Sequence, residues 1–108
     1  MAEDRSAYRV LMVTWTANSG AEERVKEILI QLAHLTAQEP GCVQYVAHQA
    51  QADRRRFILY EVYRDAEALR AHGESEHFKR YVLNEAAPVL ESRVRVELDV
   101  IAGQIRRT

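Results

Sequence analysis

An α+β fold, one antiparallel sheet with its helices gathered on one face, follows from three features of this 108-residue chain. Its segments order as β-α-β-β-α-α-β. The last segment alternates strictly between apolar and charged residues. The length suffices for one hydrophobic core and one domain. A ferredoxin-like arrangement is the simplest way to pair these strands and pack the helices.

The elements read as follows. Met1 to Ala7 is a loose start. Tyr8 to Thr16 is rich in β-branched and aromatic residues and forms a strand. Asn18-Ser19-Gly20 is a turn. From Ala21 to Glu39, Val25, Ile28, Leu29, Leu32 and Leu35 or Thr36 recur at helical spacing. Glu22 and Glu23 suit the first turn, where the helix dipole favours negative charge. Pro40-Gly41 ends this helix. Cys42 to Gln49 and Phe57 to Tyr63 are strands, joined by the polar stretch Ala52 to Arg55. Asp65 is an N-cap for a short helix, Ala66 to His72, which Gly73 interrupts. Ser75 caps a further helix from about Glu76 to Ala87, near Pro88. Arg93 to Ile101 closes the chain as a half-buried strand, with Val94, Val96, Leu98 and Val100 on one face. The whole chain, 1–108, is thus a single domain with its core over about residues 8–102 and loose tails.

Composition narrows the function. Hydrophobic residues make up 47% of the chain, too many for a disordered segment. No apolar run approaches the ~18 residues of a membrane span. Met1 to Arg9 is polar and carries no secretory h-region, which points to the cytoplasm. One cysteine, Cys42, excludes an internal disulfide framework and fits a reducing compartment. Fifteen basic against sixteen acidic residues exert no pull towards nucleic acid.

Two strands carry apolar residues on both faces. Tyr8, Val10 and Met12 oppose Leu11, Val13 and Trp15; Ile58, Tyr60 and Val62 oppose Phe57, Leu59, Glu61 and Tyr63. A sheet with one wet face should alternate instead. A second subunit covering the outer face accounts for this, so a homodimer with sheets face to face is expected.

Three blocks point to a family. The first is Glu39-Pro40-Gly41-Cys42-Val43-Gln44-Tyr45. The second runs from Arg56-Phe57-Ile58-Leu59-Tyr60-Glu61-Val62-Tyr63 through Arg64-Asp65-Ala66-Glu67-Ala68-Leu69. The third is His72-Gly73-Glu74-Ser75-Glu76-His77-Phe78-Lys79. Together they resemble the antibiotic biosynthesis monooxygenase family of dimeric α+β barrels, over roughly residues 9–101. The resemblance implies one of three activities. Quinol and polyketide oxidisers insert oxygen into activated phenols without metal or flavin. Haem degraders bind haem through an asparagine, a tryptophan and a histidine. A third branch is similar to the isomerase of the phosphorylated autoinducer-2 signal and shares a tyrosine at the place of Tyr63.

Several residues can carry chemistry. Glu61 lies among Phe57, Leu59 and Tyr63 on one strand face, where burial raises a carboxyl pKa and suits general acid–base work. His72 is its expected partner, either in catalysis or as a hydrogen bond pinning the helix to the sheet. His48 stands where some quinol oxidisers of the family hold a pocket histidine that removes a phenolic proton; alternatively it is an exposed strand residue. Tyr63, Trp15, Phe78 and Tyr81 either wall a pocket or pack the core. His34 reads as helix surface and His77 as local helix structure. His72, Glu76 and His77 do not form a metal set, because Gly73 breaks their register and H-E-x-x-H spacing is lacking. Cys42 has no activating neighbours and reads as a packed thiol. Arg54 to Arg56 solvate a hairpin connection or attract an anionic substrate.

Two departures from the family pattern matter. Leu59 replaces the asparagine that precedes the pocket tryptophan of quinol oxidisers, removing an amide donor from the substrate site. Val10 to Thr16 lacks the asparagine of the haem degraders, which argues against haem degradation. The expected function is a metal- and cofactor-independent monooxygenase acting on a small aromatic with molecular oxygen. An isomerase of a phosphorylated hydroxy-ketone and a non-catalytic ligand-binding dimer are the alternatives.

Overall fold

The computed structural model describes residues 7–105. The elements are β1 (Arg9–Ala17), α1 (Glu22–Thr36), β2 (Cys42–Gln49), β3 (Arg56–Tyr63), α2 (Ala66–Gly73), α3 (Phe78–Ala86) and β4 (Leu90–Leu98). The strands form one sheet in the order β2-β3-β1-β4, with every neighbouring pair antiparallel. The helices pack on one face, giving the α+β ferredoxin-like fold. The tails expected at either end fall mainly outside the described residues.

Local chemistry fixes most boundaries. Gly20, at φ +89°, takes the left-handed turn that glycine adopts without strain, and its N–H donates to Glu22 at 2.7 Å as α1 begins. α1 buries Val25, Ile28, Leu29, Leu32 and Thr36, the stripe set by its spacing. Asp65 caps α2 by accepting from the Ala68 N–H at 2.8 Å. Gly41 touches α2 so closely that a β-carbon there would lie 2.3 Å from Ala68 Cβ. Ser75 accepts from the Phe78 N–H at 3.2 Å, and its hydroxyl donates to the His72 carbonyl at 2.7 Å. It thereby joins the end of α2 to the start of α3.

Two elements, α3 and β4, differ from expectation. α3 is not a regular α-helix but a wider π-helical segment, which puts Tyr81 and Ala86, five residues apart, on its buried side. β4 begins at Leu90 and ends at Leu98, three residues earlier than the alternation alone placed it. The turn at Ala87–Val89 delivers the chain to the sheet at once, and Leu90 pairs with Ala17. Val100 has left the sheet and packs with Tyr8, Val10 and Val62.

The main core lies between the sheet and the helices. Leu11, Val13 and Trp15 of β1 and Phe57, Leu59 and Tyr63 of β3 face Ile28, Leu32 and Val82. In β4, Arg93, Arg95 and Glu97 pair with Trp15, Val13 and Leu11, so the charged side faces the helices. Its apolar side points to the open face of the sheet, where Val94 is 55% and Val96 48% exposed. The half-buried strand expected there is instead exposed on both sides in the single chain: β4 is an edge strand, and Arg93, Arg95 and Glu97 on its inner side are as exposed as the valines on its outer side.

Candidate functional site

A cavity of about 470 Å³ lies between the inner face of the sheet and the helices α2 and α3. β1 contributes Leu11, Val13 and Trp15, β2 contributes Tyr45, and β3 contributes Leu59 and Glu61. Leu69 and His72 of α2 close it with Phe78 and Val82 of α3, while Arg70, Arg93 and Arg95 also border it.

Glu61 is the carboxylate of this cavity and is only 5% exposed. Burial pushes its carboxyl up from the ordinary glutamate value, and the hydrogen bond from Tyr63 and the neighbouring His72 and Arg95 offset that only in part. The Tyr63 hydroxyl donates to Glu61 Oε1 at 2.7 Å. Burial, then the adjacent Glu61 charge, raises the tyrosine so far that it remains a neutral donor. Tyr45, opposite Glu61 across the β2–β3 pairing, is raised in the same way. Burial pushes the Cys42 thiol to about 11, with Glu39 and Glu61 adding to the shift, so Cys42 is a packed thiol.

The expected Glu61–His72 hydrogen bond does not form. His72 Nδ1 instead meets Glu39 Oε2 at 2.7 Å, and His77 Nε2 meets the same oxygen at 2.6 Å. The contact of Gly41 with Ala68 is the reason. It lays the chain before β2 against α2, and His72 is one helical turn beyond Ala68 on the same face. Burial opposes ionisation of Glu39, but the two histidines together outweigh it and hold the carboxyl below its usual range. His77 is thus more than local helix structure. Glu39 escaped the sequence reading because its partners lie 33 and 38 residues away.

The structure brings Trp15, Leu59, Glu61, His72 and Phe78 together around the cavity. Tyr63 is wholly buried behind Glu61, and Tyr81 packs in the core. His48 is not at this cavity. It is exposed on the side of β2 opposite Tyr45 and Ala47, with Nδ1 3.0 Å from the Ile58 carbonyl. The arginine run is also elsewhere: Arg54 binds Gln49, and Arg55 binds Glu91 and the Ala17 carbonyl. Arg93 and Arg95 were missed as site residues. Their alternation was visible, but which side of β4 faces the helices depends on the register with β1.

This arrangement can be set beside known proteins. The family model described as "Antibiotic biosynthesis monooxygenase" matches residues 9–83. The chain belongs to the antibiotic biosynthesis monooxygenase family. A solved protein of Pseudomonas aeruginosa, PA3566, is 32% identical, covering 93% of this chain and all of that one, with a TM-score of 0.83. A candidate antibiotic biosynthesis monooxygenase from Nitrosomonas europaea is 24% identical over 94% of this chain and 96% of its own, also at 0.83. A further solved antibiotic biosynthesis monooxygenase is 25% identical over 87% and 99% of the two chains, at 0.81. No curated protein matches the chain by sequence. Membership of the antibiotic biosynthesis monooxygenase family supports a general monooxygenase-type activity on a small molecule. Among the described residues, no helix is long and apolar enough to cross a membrane.

Proposed function

We propose that the protein is a cofactor-independent monooxygenase that oxidises a small aromatic, a quinol or polyketide-like phenol, with molecular oxygen. The observation that carries this reading is a buried carboxylate, Glu61, facing a cavity walled by Trp15, Tyr45 and Phe78. The cavity volume is that of a small-molecule site, and its rings suit a planar ligand. A carboxylate with a raised pKa is a competent base near neutral pH. Glu61 takes the phenolic proton, and the electron-rich anion reduces oxygen directly. One oxygen atom enters the ring and the other leaves as water, so a phenol and oxygen give a quinone and water with no outside reductant. Tyr63 keeps Glu61 in place.

Oxygen uptake with a panel of dihydroxyaromatics, using chelator-treated protein and the Glu61→Gln variant, tests this. Protein-dependent uptake that falls at least about tenfold in the variant is expected. Uptake at the uncatalysed rate across the panel removes the oxygenase reading. Uptake that survives in Glu61→Gln and is lost in His48→Ala moves the base to His48.

Arg93 and Arg95 beside the cavity favour one second reading, an isomerase acting on a phosphorylated hydroxy-ketone. It needs no oxygen, so turnover under anaerobic conditions separates the two.

The assembly we propose is a cytoplasmic homodimer. Met12, Val46, Val94, Val96 and Leu98 form an exposed apolar set on the outer face of the sheet, and a second copy is the partner that family resemblance supplies.

A further inference from the structure

We propose that Glu39, His72 and His77 form a binding site for one divalent transition metal ion, with zinc the best match to two imidazoles and a carboxylate. The ligands come from three places: the chain before β2, the end of α2, and the residue preceding α3. His72 presents Nδ1 and His77 presents Nε2 to a single oxygen of Glu39, and the three ligand atoms lie within 4.8 Å of one another. The side chains are 5%, 18% and 14% exposed for His72, His77 and Glu39. Convergence of this kind, sheltered from water, is what a metal needs and what scattered surface histidines lack.

The two N···O spacings are within about 1 Å of those of a tetrahedral centre. Ligand atoms about 2.0–2.1 Å from zinc stand about 3.3–3.5 Å apart. The present N···O separations of 2.7 and 2.6 Å are shorter. Glu39 therefore has to withdraw its oxygen by less than about 1 Å, a change of side-chain torsion, for the ion to enter. A water completes the fourth position. Neutral imidazoles bind by moving the ring proton to the other nitrogen.

Surrounding groups already hold the ligands in place. The His72 ring packs against Tyr63 at 5.1 Å and edge-on against Phe78 at 5.2 Å between centroids. Ser75 bridges the His72 carbonyl and the Phe78 N–H, fixing the two histidines relative to each other. Orientation of ligands by such outer contacts is a large part of metal affinity. Only His72 of the three borders the cavity. The ion thus sits behind the cavity wall, clamping α2 and α3 to the chain before β2, and takes no part in the oxidation proposed above.

The untagged, chelator-treated protein is titrated with cobalt(II), following its visible ligand-field bands, and then with zinc in competition. Thermal unfolding is recorded with and without zinc. One cobalt per chain with tetrahedral bands, displacement by zinc, and a melting temperature that climbs with zinc concentration are expected. Glu39→Gln and His77→Gln should each weaken binding by at least about tenfold, with circular dichroism reporting whether each variant folds. Absence of saturable cobalt bands together with an unmoved melting temperature overturns the site, whether or not oxygen uptake is found. Equal affinity in a folded variant and the parent overturns it too, placing the ion at other histidines.

Discussion

Tyr63 and Glu61, two residues apart and on the same face of β3, meet through a 2.7 Å hydrogen bond from the phenol to the carboxylate. The bond favours the charged form of a carboxyl whose pKa burial raises. Tyr63→Phe removes it, so the Glu61 carboxyl rises further. If Glu61 is the base, activity grows with pH as it ionises, and Tyr63→Phe moves that rising limb to higher pH. A pH–rate profile of oxygen uptake checks this. An unmoved limb takes the base role from Glu61.

The same carboxyl ties stability to pH. Its pKa is higher in the folded than in the unfolded chain, so the folded state binds its proton more tightly. The stabilisation from this is complete below the ordinary glutamate value and is lost as pH rises through the raised value. Urea unfolding at a series of pH values should show stability falling over that window. Glu61→Gln should flatten the fall and be at least as stable as the parent at neutral pH. An equal slope in both proteins contradicts the shift.

Gly41 has no room for a side chain. In Gly41→Ala the new methyl would stand 2.3 Å from Ala68 Cβ, so one backbone must move. A loss of about 1–3 kcal/mol is expected by chemical denaturation. Adding Ala68→Gly removes the opposing methyl, and the double variant should recover part of that loss even though glycine itself weakens α2 by about 0.5–1 kcal/mol. Additive losses would show that the contact does not set the spacing.

The outer face of the sheet tests the assembly. Val96 is 48% exposed in the single chain and sits amid Met12, Val94 and Leu98. Val96→Asp should leave the chain folded and convert a dimer to a monomer in sedimentation at micromolar concentration. A parent protein that sediments as a monomer removes the dimer and its account of the two apolar faces.

Much of the scaffold was legible in the chain because it depends on neighbours in sequence. The α1 stripe, the Asp65 cap and the shared face of Leu59, Glu61 and Tyr63 all follow from local periodicity. What depends on tertiary contact was not legible. Glu39 meets two histidines 33 and 38 residues away, across a contact made by Gly41. The alternation of β4 revealed two unlike faces but not which of them the helices would overlook. His48 belongs with Gln44 and Val46 on the outer side of β2, and only the assembled sheet shows that the cavity lies on the other.

That alternation in β4 has a consequence for how the protein can change over generations. Arg93 and Arg95 look towards the cavity, while Val94 and Val96 look out from the opposite surface. No side chain is shared between the two sets. On the roles proposed above, a lineage can exchange the inward residues to accept a different ligand and leave the outward ones untouched, or do the reverse. The strand is a single stretch of nine residues on which two traits drift independently, interleaved one position at a time.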